Sequence, residues 1–410
     1  MCLIGLSPFS IMRSNVGAQW VSKGVQPLVD PYIERFELQP IGNMGFTWNG
    51  ELIKVSEENL LSCLPFSKKA KDDFVEASKE MASDAELLYR GRSWDRAYDL
   101  QPDELWRKLE KQAIAEYLSP YHPDVTTLWG ARVKGGFGGG PDEVSAYFLV
   151  AWYMGSPWFP MSIIKGGNHL LGEAILDGCR KAGARLVLGS EVTEAVQDEK
   201  TVRVRCADGQ EFSSEYAIVT VTADVANDTV RGLSDKKREA LAAVEYVTLT
   251  QLGVQVENIP SAEELAGVLF IGGRTAAYVC QTGSIAGYPG TGNVISASIT
   301  DQDMVGISDS EAVAAIAEDL KMVSKDFDIE RDILEYVIKR WKVGEVHMSP
   351  GFLSKYRDLL KEPAGNIYFA GDYVSDFPVW GGAVWSGTKA AGEIMEAAGR
   401  LFPVDRRPDT

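Results

Sequence analysis

Two blocks near the C-terminus constrain this chain most. The first is Asn366-Ile367-Tyr368-Phe369-Ala370-Gly371-Asp372-Tyr373; the second is Gly381-Gly382-Ala383-Val384-Trp385-Ser386-Gly387-Thr388. The first reads as a short buried strand ending in Gly-Asp. The second reads as a helix opened by a glycine pair and filled with small residues. The strand delivers a carboxylate that can accept from hydroxyls. The helix presents a bare N-terminus, with unpaired N–H groups and the positive end of its dipole. Together they suit a cofactor that carries sugar-type hydroxyls and an electron-rich ring edge. Either block alone would be an ordinary strand or helix; their order and spacing make the pair specific.

Length and charge narrow the setting. A chain of 410 residues is long for one core, so two domains are expected. The net charge of −17 argues against nucleic acid or an anionic membrane as partner. Cys2, Cys63, Cys179, Cys206 and Cys280 are scattered, and His122, His169 and His347 pair with none of them at a ligand spacing. No metal site is expected, and the cysteines read as reduced thiols of a cytoplasmic protein. The apolar run 1–12 lacks a basic flank and is too short to span a bilayer. The apolar segment 146–154 is stopped by Gly155-Ser156-Pro157, which points to a buried helix beside a substrate cavity.

Periodicity organises the middle of the chain. Gly166-Gly167 opens an amphipathic helix to about Lys181, ended by Gly183. A buried strand is expected at 185–188, then Glu191-Val192, a hairpin turning at Asp208-Gly209, and a strand at 217–221. Residues 31–160 read as mostly helical, with polar helices around 56–82 and 103–118. Strands are expected at 248–256, 268–271, 277–280 and 294–299, and a helix at 310–323 capped by Ser308 or Asp309. The glycine-rich stretch 135–140 does not complete Gly-x-Gly-x-x-Gly, because Pro141 takes the last position; it reads as a mobile loop.

The two C-terminal blocks resemble the FAD signature of the flavin amine oxidase and phytoene desaturase superfamily. Gly17-Ala18-Gln19-Trp20 resembles the block of that family that lies along the flavin ring, and similarity extends over residues 15–398. The resemblance implies an α/β fold with a discontinuous, Rossmann-like FAD-binding domain (1–30, 160–225 and 335–400) lacking its first βαβ unit. An α+β substrate domain (31–159 and 226–334) interleaves with it. The resemblance also implies FAD contacts from Gly17, Ala18, Gln19, Trp20, Val192, Gly371, Asp372, Trp380, Gly382 and Ala383. Val192 would pack on adenine, and the Trp380 N–H would approach flavin C2=O.

No strand–Gly-x-Gly-x-x-Gly–helix unit precedes the first of these blocks. Three explanations stand: a misplaced start, a second polypeptide that supplies the unit, or a scaffold that has lost FAD. Weak FAD binding by the chain alone is expected, together with a protein partner or homo-oligomer that covers the open sheet edges.

At the reaction centre the resemblance puts Gln251 where amine oxidases of the family carry a lysine, and Trp341 beside the flavin. Trp380 would line the cavity. The implied activity is an FAD-dependent two-electron oxidation of a C–N or C–C bond in a small apolar or amine substrate. Hydride would pass to non-covalent flavin. A carotenoid-type desaturase or isomerase, a protoporphyrinogen-oxidase-like enzyme, and a non-catalytic subunit that keeps the fold are the alternatives.

Overall fold

The computed structural model describes residues 4–6, 13–15, 33–40, 44–56, 59–90, 98–153, 162–165, 168–260, 264–275, 279–281, 293–300 and 302–400. The chain divides into two compact units. One holds Met1–Trp94, Gln101–Ala184 and Tyr246–Gly351; the other holds Asp95–Leu100, Arg185–Glu245 and Phe352–Thr410. These borders follow packing, whereas the expected domain borders follow cofactor contact.

Met44–Trp48 (β1) and Glu51–Val55 (β2) form a hairpin. Its turn residues Asn49 and Gly50 take φ of 51° and 81°, the left-handed geometry that a two-residue turn requires. Lys68–Tyr89 (α1) is capped by Ser67, which accepts from the Ala70 N–H, and buries Ala70, Phe74, Ala77, Met81, Ala85 and Leu88. That three-to-four spacing is one helical stripe. Glu104–Lys111 (α2), Pro123–Phe137 (α3) and Ala146–Tyr153 (α4) follow. α4 is buried over 146–151 and apolar all round, as a helix inside a core must be. His169–Lys181 (α5) closes this stretch.

The glycine-rich stretch is not a loop throughout. Gly135 and Gly136 lie in the last turn of α3, and Gly138 ends it at φ +78°. A Cβ on Gly138 would collide with the Val247 side chain, so close packing accounts for that glycine.

Val192–Asp198 (β3), Thr201–Cys206 (β4) and Glu211–Ser214 (β5) make an antiparallel meander, followed by Ala217–Val219 (β6) and Asp235–Ala242 (α6). The strand expected at 185–188 does not form; Leu188 is 77% exposed. A buried strand needs a ladder beside it, and among the described residues none runs there.

Tyr246–Val256 (β7), Gly267–Leu269 (β8), Val279–Gln281 (β9) and Asn293–Ile299 (β10) come next. Asp309–Leu320 (α7) and Ile333–Val346 (β11) complete this stretch. The sheet order is β11-β7-β10-β9-β8-β1-β2. One face packs Leu252, Val254, Ile295 and Ala297 against Val313, Ile316 and Leu320 of α7. Each fully buried large side chain contributes about 1.5–3 kcal/mol. Ser308 caps α7 in a reciprocal box: it accepts from the Glu311 N–H, while the Glu311 carboxylate accepts from the Ser308 N–H at 2.9 Å.

Phe352–Lys361 (α8), Ile367–Phe369 (β12) and Trp380–Ala397 (α9) finish the chain's second unit. β12 runs parallel to β6, with Ile367 opposite Ala217 and Phe369 opposite Val219. Among the described residues this pair is the whole parallel sheet of that unit. No described helix is long and apolar enough to cross a membrane.

Candidate functional site

The carboxylate and the bare helix end lie in the second unit. Ile367 to Ala370 are all buried, which carries the chain to Gly371 through the interior. Gly371 has φ +143°, a conformation that disfavours any side chain. Its N–H donates to the Ser386 hydroxyl at 2.8 Å, and that hydroxyl lies 3.0 Å from the Gly371 carbonyl. Ser386 sits on α9, so one side chain fixes the strand end to the helix.

Asp372 follows at the start of a single tight turn, Asp372–Val374. Its carboxylate accepts from the Tyr373 N–H at 2.9 Å, and its own N–H also stabilises it. Burial pushes its pKa up. A desolvated carboxylate held by backbone N–H groups alone has room for further hydroxyl donors. α9 begins at Trp380 with Val379 as its cap and no capping side chain. Its first recorded bond is Ala383 N–H to the Val379 carbonyl, at 3.0 Å. The N–H groups of its first turn have no intrahelical acceptor. Carboxylate and helix end therefore fit the ribityl hydroxyls and the N1–C2=O edge of a flavin. Gly381 and Gly382 have another physical cause. A Cβ on Gly381 would overlap the Tyr98 hydroxyl, and one on Gly382 would overlap the Phe377 carbonyl and Ser375. The glycine pair lets the helix start close to its own protein frame.

That frame contains residues sequence reasoning missed. Asp376 is fully buried in the loop leading to α9. The Arg357 Nε donates to its two oxygens at 2.9 and 3.0 Å, and the Lys361 Nζ at 2.6 Å. Both cations also reach Asp99, at 2.7 Å each. The Asp376 N–H donates to the Tyr98 carbonyl at 3.1 Å. Burial disfavours the Arg357 charge, but Asp376 and then Asp99 overcome it and raise the guanidinium pKa. Burial pushes the Asp376 carboxyl up, with Lys361 and Arg357 opposing. Two cations and two carboxylates thus clamp the loop that sets the helix start.

The remaining expected contacts are spread along the chain. Gly17, Ala18, Gln19 and Trp20 lie outside the described residues. Val192 opens β3 opposite Cys206 and is 40% exposed. Trp380 is half-buried at the first turn of α9, and Ala383 lies in the same turn.

Gln251 and Trp341 lie in the first unit, on β7 and β11. β7 runs between β10 and β11, so both of its edges are paired. The face away from α7 carries Gln251, Gly253, Ser296 and Ser298, polar or small yet buried. Gln251 is 7% exposed, and its Nε2 donates to the Ser298 Oγ at 2.9 Å. No lysine stands at 250 or 251, but Lys339 is directly opposite Gln251 in the ladder with β11. Its Nζ lies 4.9 Å from the centre of the Trp341 ring. Register is what brings these three together, and register is a non-local property. No cluster of metal-ligating side chains occurs among the described residues.

Solved structures share this fold. Cyclohexylamine oxidase from Brevibacterium oxydans IH-35A superposes with a TM-score of 0.73 at 18% identity, covering 95% of this chain and 89% of its own. Putrescine oxidase bound to putrescine gives 0.77 at 16% identity, covering 96% and 90%. A doubly substituted putrescine oxidase gives 0.78 at 16%, with the same coverage. No curated protein sequence matches the chain. The family model of the flavin-containing amine oxidoreductases matches residues 17–395, so the chain belongs to that family, and its cofactor is FAD.

Proposed function

We propose that the protein oxidises a small amine: the carbon beside the nitrogen would give up a hydride, which carries both electrons, to non-covalently held FAD, the nitrogen would lose a proton, and the C–N bond would become C=N. The observation that carries this reading is the pairing of a desolvated Asp372, held by backbone N–H groups, with the uncapped start of α9. When bound, the flavin accepts the hydride and supplies the redox chemistry. The chain's own residues do the rest. Asp372 binds ribityl hydroxyls. The first-turn N–H groups of α9 stabilise negative charge at the N1–C2=O edge. The Arg357–Asp376–Lys361–Asp99 clamp keeps both in place.

On the substrate side, the buried polar face of the sheet orients the amine. Gln251 contributes an amide dipole rather than a charge, so it can fix an amine nitrogen without competing for its proton. Trp341 walls the site with an aromatic surface. Hydride transfer needs positioning and dryness more than a strong base. The oxidised product of a primary amine is an imine, which water converts to a carbonyl compound and ammonia.

Cyclohexylamine and putrescine, substrates named for the structural neighbours, are the first compounds to test. Anaerobic addition of these and related primary amines to the flavin-loaded protein should bleach the flavin absorbance. Acid precipitation should then release the flavin into solution. A flavin that no amine reduces, but that a polyene does, would replace this reading with a desaturase.

A further inference from the structure

We propose that β11 is the contact strand of a symmetric dimer, its open edge pairing antiparallel with the same edge of a second copy of this chain. β11 runs 14 residues, stands at the end of the sheet order, and pairs among the described residues with β7 alone. Its outer edge offers main-chain N–H and C=O groups spaced for another strand. The surface beside that edge is apolar. Leu334 is 52% and Tyr336 46% exposed, and with Val313 and Ile329 they line a groove of about 530 Å³. Long edges with exposed apolar side chains attract strands unless something blunts them.

Opposite charges meet in one register of a second copy. Two identical antiparallel strands related by a two-fold axis place one residue opposite itself and its neighbours in mirrored order. With Val337 on the axis, Glu335 faces Lys339 of the second copy, and symmetry repeats the pair. In the same register Tyr336 faces Ile338 and Leu334 faces Arg340. An axis through Lys339 or Arg340 would set like charges against each other, and the latter would also oppose Glu335 to Glu345. Within its own chain Glu335 makes no ion pair among the described residues, and Lys339 overlies the Trp341 ring. A second copy supplies both with partners in one step.

The test is charge reversal on the flavin-loaded protein, read by size-exclusion chromatography with light scattering over a concentration series. Wild type should be dimeric. Glu335→Lys and Lys339→Glu should each weaken the dimer at least about tenfold, and the double variant Glu335→Lys/Lys339→Glu should restore it. A wild-type monomer at every concentration, or a dimer indifferent to both single reversals, would overturn the proposal. Val337→Cys adds a geometric readout. Opposed Cα atoms in an antiparallel pair lie about 4.5–5.5 Å apart, within the roughly 4.4–6.8 Å that a disulfide spans. Mild oxidation should give a covalent dimer whose peptide map links position 337 to itself. A dimer that never links there would refute the register.

Discussion

The two units solve the problem of a buried interior differently. In the first, a seven-stranded sheet packs one face on α7 through Leu252, Val254, Ile295 and Ile316, an apolar layer, and buried polar groups such as Gln251, Asp319 and Asp332 lie outside that layer. In the second, the parallel sheet among the described residues is two short strands, and the interior around it holds ions. Asp376 is buried with Arg357 and Lys361. Lys237 donates to the carbonyls of Leu359, Leu360 and Glu362, at 2.8 Å each, and lies 3.9 Å from the centre of the Phe369 ring. An apolar core tolerates partial loss gracefully. A buried charge cluster does not, because each member is left uncompensated when its partner goes. The contrast suits the division of labour: the unit that must hold a loop and a helix end in one geometry uses directional bonds.

The contrast breaks most visibly at Arg357. Arg357→Ala should cost about 3–5 kcal/mol in denaturant unfolding, because Asp376 would stay buried with half its compensation gone. Ile316→Ala, in the apolar core, should cost about 2–4 kcal/mol from lost burial and a residual cavity. Only the Arg357 variant should also shed flavin, since only that loss loosens the loop before α9. Equal flavin retention in the two would mean the clamp does not set the cofactor site.

A smaller effect separates the units by pH. Burial pushes the Lys237 pKa down to about 7, while an unfolded lysine titrates near 10.4. Between those values the unfolded chain binds more protons, so stability should rise as pH rises from about 7 to about 10. Below pH 7 both states are protonated and this slope vanishes. Lys237→Met should flatten the rise, whereas Ile316→Ala should leave its slope unchanged. A wild-type profile that is flat across this window would show that the three carbonyls keep the ammonium charged in the fold.

How much of this was legible in the sequence follows from which features are local. β7, β10 and α7 lie where their apolar patterns and the Ser308 cap put them, because period and capping are written within a few residues. The Gly371-Asp372 strand end and the uncapped helix start were legible for the same reason. The clamp was not. Asp99 lies 258 residues from Arg357, and nothing near Asp376 marks it as more than a loop residue. The lysine opposite Gln251 was hidden in the register of β11 against β7. The missing strand at 185–188 failed in the opposite sense: its residues have the right local pattern, but a buried strand also needs a neighbour.

The central claim is that Asp372 is a flavin ligand and not merely a buried acid. Titration of FAD onto stripped wild-type protein and onto Asp372→Ala, followed by flavin fluorescence, tests it directly. Loss of a charged hydrogen-bond partner costs about 1.5–3 kcal/mol, so the variant should bind FAD roughly 10- to 100-fold more weakly. Its circular dichroism and unfolding midpoint without flavin should match wild type or exceed it, because the removed carboxylate is desolvated. FAD affinity within twofold of wild type would contradict the account and place the ribityl site elsewhere.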